Sequence, residues 1–410
     1  MLNKTGRTLH RLVVVILLLF GYGTSLEAQE DKLYIDRLGS NEGLSANYIN
    51  CILQDDDGFM WFGTFGGLNR YDGYEIREYK PTPNRPAGIS GIRIFDIAAD
   101  AAGDLWISVK EKGISFYDRS HDTFQTIAHE PDRSGSLPSN AVTDLLVDRQ
   151  NRLWVGTDRG VSWLDLKDFT PGEPPTFTKV DLPVSSSKLI VRTIFEDRIG
   201  NVWVTTDGAV YRTSAPHVSQ FRRLESATIQ GAQIKSIVQT SSGDILLAGA
   251  RGLYRQSSVN KDNFYQVGNL QRVASMAYDK DLEHLWVGSA SGLYKYAMGG
   301  DREEPELLHH YTHDPWDPTS LSANDITSIF MDETKGIWVG TSGGGISKFN
   351  PLRKRFYHNE QSYGGPNFIA GTIRAIYQDS RQQVWVGSDG GGVNLSAEKL
   401  ERGKQAEFRH

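Results

Sequence analysis

The chain has 410 residues, a hydrophobic fraction of 39% and 42 glycines that follow no collagen-like period, which indicates a globular protein with many tight turns. Its formal charge is −6 with both signs scattered along the sequence, which argues against a nucleic-acid-binding surface. A single cysteine, Cys51, excludes an intramolecular disulfide.

The first 28 residues have the layout of a secretory signal peptide. Lys4, Arg7 and Arg11 form a basic start, Leu12 to Phe20 is an unbroken apolar run, and a polar stretch follows. The run is shorter than the roughly 18 residues that a membrane-spanning helix needs. We therefore expect residues 1–28 to direct export, with an uncleaved N-terminal anchor as the alternative.

The segment "DKLYIDRL" (Asp31 to Leu38) has the pattern of an isolated β-strand. A lone strand at the N-terminus suits a closed ring of repeats, because it can complete a C-terminal repeat that supplies only three strands.

Eight copies of one unit follow. Leu246 marks one copy, and the others carry a tryptophan in the same frame: Trp61, Trp106, Trp154, Trp203, Trp286, Trp338 and Trp385. The spacing of 40 to 52 residues is typical of propeller blades.

Other positions repeat with the tryptophan. An Ile or Val stands twelve residues before it, and an aliphatic residue nine before it. One extra residue shifts this frame in the copy of Trp286. Six copies have an aspartate six residues before the tryptophan: Asp55, Asp100, Asp148, Asp197, Asp332 and Asp379. A Gly–aliphatic pair follows in every copy except the one with Ala209 and Val210.

Each unit has the pattern of four short antiparallel strands. In one copy "DITSIFMD", "GIWVGT" and "GGISKFN" are the first three strands, and "KRFYHN" (Lys354 to Asn359) is a fourth, with counterparts in "YEIREY" and "DTFQTIAHE". Such sheets pack face to face, with large Trp and Ile side chains beside small Gly, Ser and Thr residues. The sequence therefore predicts an all-β fold, a β-propeller in which the repeated tryptophans serve packing.

Two ring sizes fit the repeats. Seven closing units give a propeller over residues 29–352 and leave residues 353–410 as an eighth repeat, the first blade of a truncated second propeller. Eight closing units place the whole chain in one ring, with "AEFRH" as the last strand. We expect the seven-bladed propeller with one extra blade, and keep the eight-bladed ring as the alternative.

The repeats "NEGLSANYINCILQDDDGFMWFGTFGGLNRYDG" and "DPTSLSANDITSIFMDETKGIWVGTSGGGISKFN" resemble the two-component regulator propeller repeat. The resemblance covers essentially all of Asp31 to Leu395. That family builds the periplasmic sensor of hybrid two-component systems, best known from Bacteroidetes, and its members sense glycan fragments. Two seven-bladed propellers, a β-sandwich, a membrane helix, a histidine kinase and a DNA-binding domain follow one another in the family pattern. This chain holds one propeller and a further blade, without a kinase motif.

The resemblance implies a place in the periplasm and an oligosaccharide ligand. It also implies a homodimer through propeller surfaces, and membrane attachment only through a missing C-terminal part. We expect no nucleic-acid partner and no cofactor for this chain. A truncated sensor is favoured over a separate binding protein that hands its signal to another chain.

Cys51 and three histidines are the residues that could act as a nucleophile or bind a metal. Cys51 occupies a slot that holds small residues in other copies, so we interpret it as packing. His309 and His310 are adjacent on a strand and point to opposite sides, and His313 belongs to a linker pattern shared with His129. We therefore expect no metal site.

The recurring aspartate and the glycine runs have structural interpretations. An aspartate that appears in nearly every copy suits a turn, where it accepts backbone N–H bonds, and not one special catalytic site. The runs Gly343 to Gly345 and Gly390 to Gly392 lack the lysine and helix of a phosphate loop. We predict no catalytic residue.

Trp163 and Trp316 are the weak candidates for ligand binding. Each departs from the repeat frame: Trp163 stands where the first copy has Arg70, and Trp316 where a matching linker has Asp132. Aromatic faces suit the apolar C–H patches of sugar rings, and packing between blades is the competing interpretation.

The leading hypothesis is a non-catalytic sensor that binds a glycan fragment. An exported propeller glycosidase or lyase is one alternative, because sequence spacing does not exclude a pair of catalytic carboxylates. A protein-interaction scaffold is the other.

Overall fold

The computed structural model describes residues 33–82, 87–183, 189–214, 217–298, 304–352, 372–389, 392–397, 399 and 408–409. These residues form 32 β-strands and three short 3₁₀ helices, at Ser40–Glu42, Leu166–Asp168 and Ala227–Ile229. No helix among them is both long and apolar enough to cross a bilayer. The predicted all-β class is confirmed.

Seven four-stranded antiparallel sheets lie in one compact unit, Leu33–Leu352. Strand β1 (Asp36–Leu38) comes first in the chain and belongs to blade 7. Blades 1 to 3 contain β2 (Ile49–Gln54), β3 (Met60–Thr64), β4 (Leu68–Tyr71), β5 (Ile76–Tyr79), β6 (Ile94–Ala99), β7 (Leu105–Val109), β8 (Gly113–Asp118), β9 (Thr123–Ile127), β10 (Val142–Val147), β11 (Arg152–Thr157), β12 (Gly160–Asp165) and β13 (Thr178–Val180).

Blades 4 to 6 have the same order, in which consecutive strands pair. Their strands are β14 (Val191–Glu196), β15 (Val202–Thr206), β16 (Val210–Ser214), β17 (His217–Arg223), β18 (Ile234–Gln239), β19 (Ile245–Gly249), β20 (Gly252–Gln256), β21 (Phe264–Val267), β22 (Val273–Asp279), β23 (His284–Ser289), β24 (Gly292–Ala297) and β25 (Glu306–Tyr311).

Blade 7 joins the two ends of the unit. It consists of β26 (Ile326–Met331), β27 (Ile337–Thr341) and β28 (Ile346–Phe349), with β1 paired antiparallel to β28 so that Leu38 faces Ile346. The predicted N-terminal closing strand is thus confirmed over its last three residues. The strand predicted at "KRFYHN" lies outside the described residues.

The hydrophobic core lies between blades. Seven clusters of buried residues each combine side chains from two neighbouring blades, and one of them packs Trp338 of blade 7 against Phe62 of blade 1 at a ring-centroid distance of 5.7 Å. The ring therefore closes with seven blades. Because burial of each large side chain contributes about 1.5–3 kcal/mol, a blade gains most of its stabilisation from its neighbours.

Small residues receive the large ones, as predicted. Ile49 of blade 1 lies over Gly340 of blade 7, where an added Cβ would be 2.7 Å from Ile49 Cγ2. Val191 covers Gly156 in the same way, with 2.6 Å between the added Cβ and Val191 Cγ1. At Gly340 and Gly156 the close approach of the next blade therefore favours glycine, and the other blades have small residues at the same position, such as Ser108 and Ala248.

A β-bulge occurs in the first strand of every blade. In β26, for example, the pairing with β27 shifts between Ile326 and Ser328. Ile326 and Ile329 are consequently both buried although they are three residues apart. First strands of adjacent blades lie side by side around the ring, so they line its axis.

An eighth four-stranded sheet belongs to a second compact unit. Its strands are β29 (Thr372–Gln378), β30 (Val384–Asp389), β31 (Gly392–Ser396) and β32 (Phe408–Arg409). Ile376 and Tyr377 are 68% and 65% exposed, whereas the corresponding first-strand Ile329 is 7% exposed. The local pattern therefore forms the sheet, but these side chains lack the burial found in the ring.

Candidate functional site

The recurring tryptophans are buried in the ring. Six of them, Trp61, Trp106, Trp154, Trp203, Trp286 and Trp338, are at most 2% exposed. None of the six can present its indole face to a ligand, so the repeat residues do not form the binding site.

The recurring aspartate fixes the tryptophan as well as a turn. Asp55 Oδ1 accepts backbone N–H bonds from Asp57 and Phe59 at 3.1 and 2.9 Å, as the turn interpretation predicts. Its Oδ2 accepts a bond from Trp61 Nε1 at 2.7 Å, and five further copies have the same indole–carboxylate bond. A buried indole N–H needs such a partner.

The indole partner was missed in the sequence, although a signal was present. The copy with Leu246 in the tryptophan slot also has Thr240 in the aspartate slot. The two residues are lost together, which is what a direct bond between them requires.

The slot that holds Cys51 joins neighbouring blades. Ser236 Oγ in blade 5 accepts a bond from Met276 N of blade 6 at 3.0 Å, and Ser275 Oγ in blade 6 accepts one from Ile329 N of blade 7 at 3.0 Å. Cys51 itself is buried, and burial raises the pKa of its thiol well above the usual value. A raised pKa disfavours the nucleophilic thiolate, in agreement with a packing role.

Two carboxyl groups occupy this slot in blades 2 and 3. Asp96 Oδ2 accepts a bond from Leu145 N, and Asp144 Oδ2 accepts one from Ile194 N, both at 2.7 Å. Burial raises the pKa of Asp96 to about 7, and burial together with the nearby Asp96 charge raises the pKa of Asp144. Because serine makes the same bond in other blades, the carboxyl groups have a structural function there.

The histidines do not converge on a metal. His313 Nδ1 lies 2.6 Å from the Leu321 carbonyl oxygen, and His129 has the matching contact to Leu137 at 2.5 Å. His310 stacks on Tyr294 with 4.0 Å between ring centroids. The described part of the chain contains no group of three metal-ligating side chains.

The two candidate tryptophans have different surroundings. Trp163 is partly buried and packs on Trp154 at a centroid distance of 6.3 Å, with the Arg152 guanidinium 5.5 Å from its ring. This contact favours the packing interpretation for Trp163. Trp316 is 93% exposed in the linker between β25 and β26 and remains a candidate contact.

A further group of aromatic residues lies where blades 1 and 2 meet at the ring axis. We call Tyr48, Phe65, Phe95 and Arg93 the axial aromatic cluster. Tyr48 directly precedes β2, Phe65 directly follows β3, Arg93 directly precedes β6, and Phe95 is within β6. All four therefore lie at one end of the ring, where first strands begin and second strands end; we call this end the upper face.

The geometry of the cluster is that of an aromatic platform. The Tyr48 and Phe65 rings are parallel, with centroids 4.1 Å apart and an interplanar angle of 3°. Phe95 lies 6.2 Å from Phe65, and the Arg93 guanidinium lies 5.9 Å from the same ring. Phe65 is 37% exposed. The Phe65 ring is thus held by its contact with Tyr48 and is partly accessible to solvent.

No other blade of the ring has this combination. At the position of Phe65 the other six blades have small or charged residues: Lys110, Asp158, Asp207, Ala250, Ala290 and Ser342. The cluster was not predicted from the sequence, because its members are not tryptophans and do not belong to the repeat frame. Comparison of all aromatic residues with the repeat frame would have revealed it.

Comparison with known proteins agrees with the repeat analysis. The family model described as "Two component regulator propeller" matches residues 43–66, 136–159, 320–343 and 367–390. Histidine kinase P4 of Formosa agariphila is 26% identical to this chain, and the match covers 47% of this chain and 17% of that kinase.

Two solved structures from B. thetaiotaomicron share the fold. The extracellular domain assigned to the hybrid two-component system BT3049 is 25% identical, with a TM-score of 0.67 over 91% of this chain and 48% of that domain. The extracellular domain of BT4673 is 20% identical, with a TM-score of 0.63 over 92% and 47%. This chain thus spans about half the length of these two structures, and both are extracellular domains.

Proposed function

Because the chain carries two-component regulator propeller repeats, we propose that it is a non-catalytic sensor domain that acts in the periplasm and recognises a glycan fragment. The extracellular domain of a hybrid two-component system, at 25% identity, supports the sensor role. The axial aromatic cluster is the single observation that carries the choice of ligand and site.

The cluster offers what a sugar ring needs. The electron-rich face of an aromatic ring attracts the C–H groups that a pyranose presents on one side. Phe65 is fixed by its parallel contact with Tyr48, so ligand binding costs little side-chain entropy. The upper face also has polar groups within the same blade pair, such as Arg93, which suit the hydroxyl groups of a saccharide.

An enzymatic role as a glycosidase or lyase has weaker support. The carboxyl groups of Asp96 and Asp144 are the pair that such an enzyme would use, and one has a pKa of about 7. Both accept a backbone N–H bond from the next blade, however, as Ser236 and Ser275 do in other blades, so a structural role accounts for them without catalysis.

We also propose that the eighth repeat is the first blade of a second propeller and that two chains associate through propeller surfaces. Residues 1–28, the expected signal peptide, lie outside the described residues.

The test is calorimetric titration of the full chain with a set of neutral and charged oligosaccharides, with product analysis after incubation. We expect saturable binding of at least one saccharide without turnover. Phe65→Ala should weaken that binding up to about 10-fold, since one aromatic contact contributes about 0.5–1.5 kcal/mol.

Trp316→Ala is the matched variant, because it removes another exposed aromatic ring outside the axial aromatic cluster. Loss of binding in Trp316→Ala with full binding in Phe65→Ala would move the site to the linker. Cleavage of the saccharide would show that the protein is an enzyme and would contradict the proposed non-catalytic role.

A further inference from the structure

The upper face of the ring is more positive than the rest of the chain. The three positions of Tyr48, Phe65 and Phe95, taken over the seven blades, hold five cationic and three acidic residues, whereas the chain as a whole has a charge of −6. The cationic residues are Arg93, Lys110, Arg192, Lys235 and Arg272, and the acidic ones are Asp158, Asp207 and Asp325.

Only one of these cations is strongly paired. Arg192 Nε lies 2.5 Å from Asp207 Oδ1. Lys110 has a long 3.9 Å contact with Glu111, and both side chains are exposed, so that pair contributes little. Among the described residues no carboxylate lies within ion-pair distance of Arg93, whose side chain is exposed.

Two of the cations without a strong ion pair come from neighbouring points of blade 2, and one of them, Arg93, belongs to the axial aromatic cluster. The Arg93 guanidinium is 5.9 Å from the Phe65 ring. The backbone N–H of Lys110 donates to the Arg93 carbonyl oxygen at 2.9 Å, so the two residues start from adjacent points of blade 2. The Arg93 guanidinium therefore lies beside the Phe65 ring, and the Lys110 side chain starts from the residue whose backbone is paired with Arg93.

We propose that the ligand of this site is an anionic saccharide, whose sugar ring stacks on Phe65 and whose carboxylate or sulfate group binds Arg93 and Lys110. This inference rests on the proposed function, because it names the class of saccharide that the same site takes. Guanidinium groups form two parallel hydrogen bonds with carboxylate or sulfate oxygens, and an ammonium group adds a point charge. At an exposed site this attraction is screened by salt, so affinity must fall as ionic strength rises.

The experiment compares ligands that differ only in charge. Tetragalacturonate and its methyl ester form one pair, and a sulfated galactan tetrasaccharide with its desulfated form is the other. Each is titrated calorimetrically into the full chain at about 20 and 300 mM salt. We expect an anionic ligand of at least one pair to bind about 10-fold more tightly than its neutral counterpart at low salt, and this advantage to shrink at high salt.

The variants separate charge from stacking. Arg93→Gln should weaken binding of the anionic ligand about 10-fold and leave the neutral one unchanged, whereas Phe65→Ala should weaken both. Arg381→Gln is the control, because it makes the same change of net charge in the eighth repeat. A thermal unfolding midpoint equal to that of the parent chain would show that each variant is folded.

Three different results would contradict the inference. Equal binding of charged and neutral forms at both salt concentrations would refute the anionic class and leave glycan recognition standing. Absence of binding for all four saccharides would refute this inference, and it would also exclude these sugars as ligands of the proposed sensor. An equal loss in Arg93→Gln and Arg381→Gln would show general charge attraction without a site.

Discussion

The seven blades of the ring and the eighth sheet share one sequence frame but differ in what surrounds it. Trp338 in blade 7 is 2% exposed and donates to Asp332 at 2.7 Å, whereas Trp385 in the eighth sheet is 37% exposed and donates to Asp379 at 3.1 Å. The indole–carboxylate bond forms in both places, but the tryptophan is deeply buried only in the ring. The sheet is therefore encoded within one repeat, and the core is encoded between repeats.

The same contrast appears at the glycine after tryptophan. An added Cβ at Gly340 would be 2.7 Å from Ile49 Cγ2 of the next blade, but at Gly387 the nearest atoms, from Ala375, are 3.9 Å away. Close packing against the next blade thus limits the size of the side chain at Gly340, and the described residues place no such limit at Gly387. Substitutions at matched positions can test this difference.

The largest expected effect is for Asp332→Ala. This change removes the acceptor of the Gly336 N–H and Trp338 indole N–H bonds, both at 2.7 Å and both buried. Each unsatisfied buried donor costs about 1–3 kcal/mol, so we expect the ring to lose about 3 kcal/mol of unfolding free energy. Urea unfolding of the full chain, followed by tryptophan fluorescence, measures the loss.

Asp379→Ala is the matched control for Asp332→Ala. Trp385 is partly exposed, so water can replace the lost acceptor and the cost should be below about 1 kcal/mol. Equal costs at the two positions would mean that burial by neighbouring blades does not decide the strength of this bond.

Gly340→Ala should have the second largest effect. The new methyl group would enter the space of Ile49, and overpacking of this kind costs about 1–3 kcal/mol. Gly387→Ala should change stability by less than about 0.5 kcal/mol, because among the described residues the nearest atoms, from Ala375, are 3.9 Å from the added methyl group. Differential scanning calorimetry of both variants gives the comparison, and a stable Gly340→Ala ring would contradict the close packing of blades 7 and 1.

The sequence predicted the repeat, the strand types and the closing strand, because these depend on residues within one frame or at one terminus. It did not predict the bulge at Ser328, since the pairing shift is visible only when β26 and β27 are aligned in space. It also did not predict the axial aromatic cluster. Tyr48, Phe65 and Phe95 come from three separate positions, and only the packing of blades 1 and 2 brings them together.

The smallest expected effect concerns the axial carboxyl groups and depends on pH. Burial raises the pKa of Asp96 from 3.8 to about 7, so the folded state favours the protonated acid. The resulting stabilisation is fully present below about pH 4 and is lost as the pH rises through about 7. Asp96→Ser keeps an acceptor for Leu145 N, as in blades 5 and 6, and removes the buried charge.

We therefore expect Asp96→Ser to be more stable than the parent chain at pH 8, and its advantage at pH 8 to exceed that at pH 5 by at least about 1 kcal/mol. Urea unfolding at the two pH values measures this difference. The eighth sheet offers the matched change, because Ala375 occupies the same slot and is exposed. Ala375→Asp should leave the pH dependence of ring unfolding unchanged. If Asp96→Ser shows the same stability relative to the parent at both pH values, the Asp96 carboxyl is ionised in the folded ring throughout, and the axis tolerates its charge.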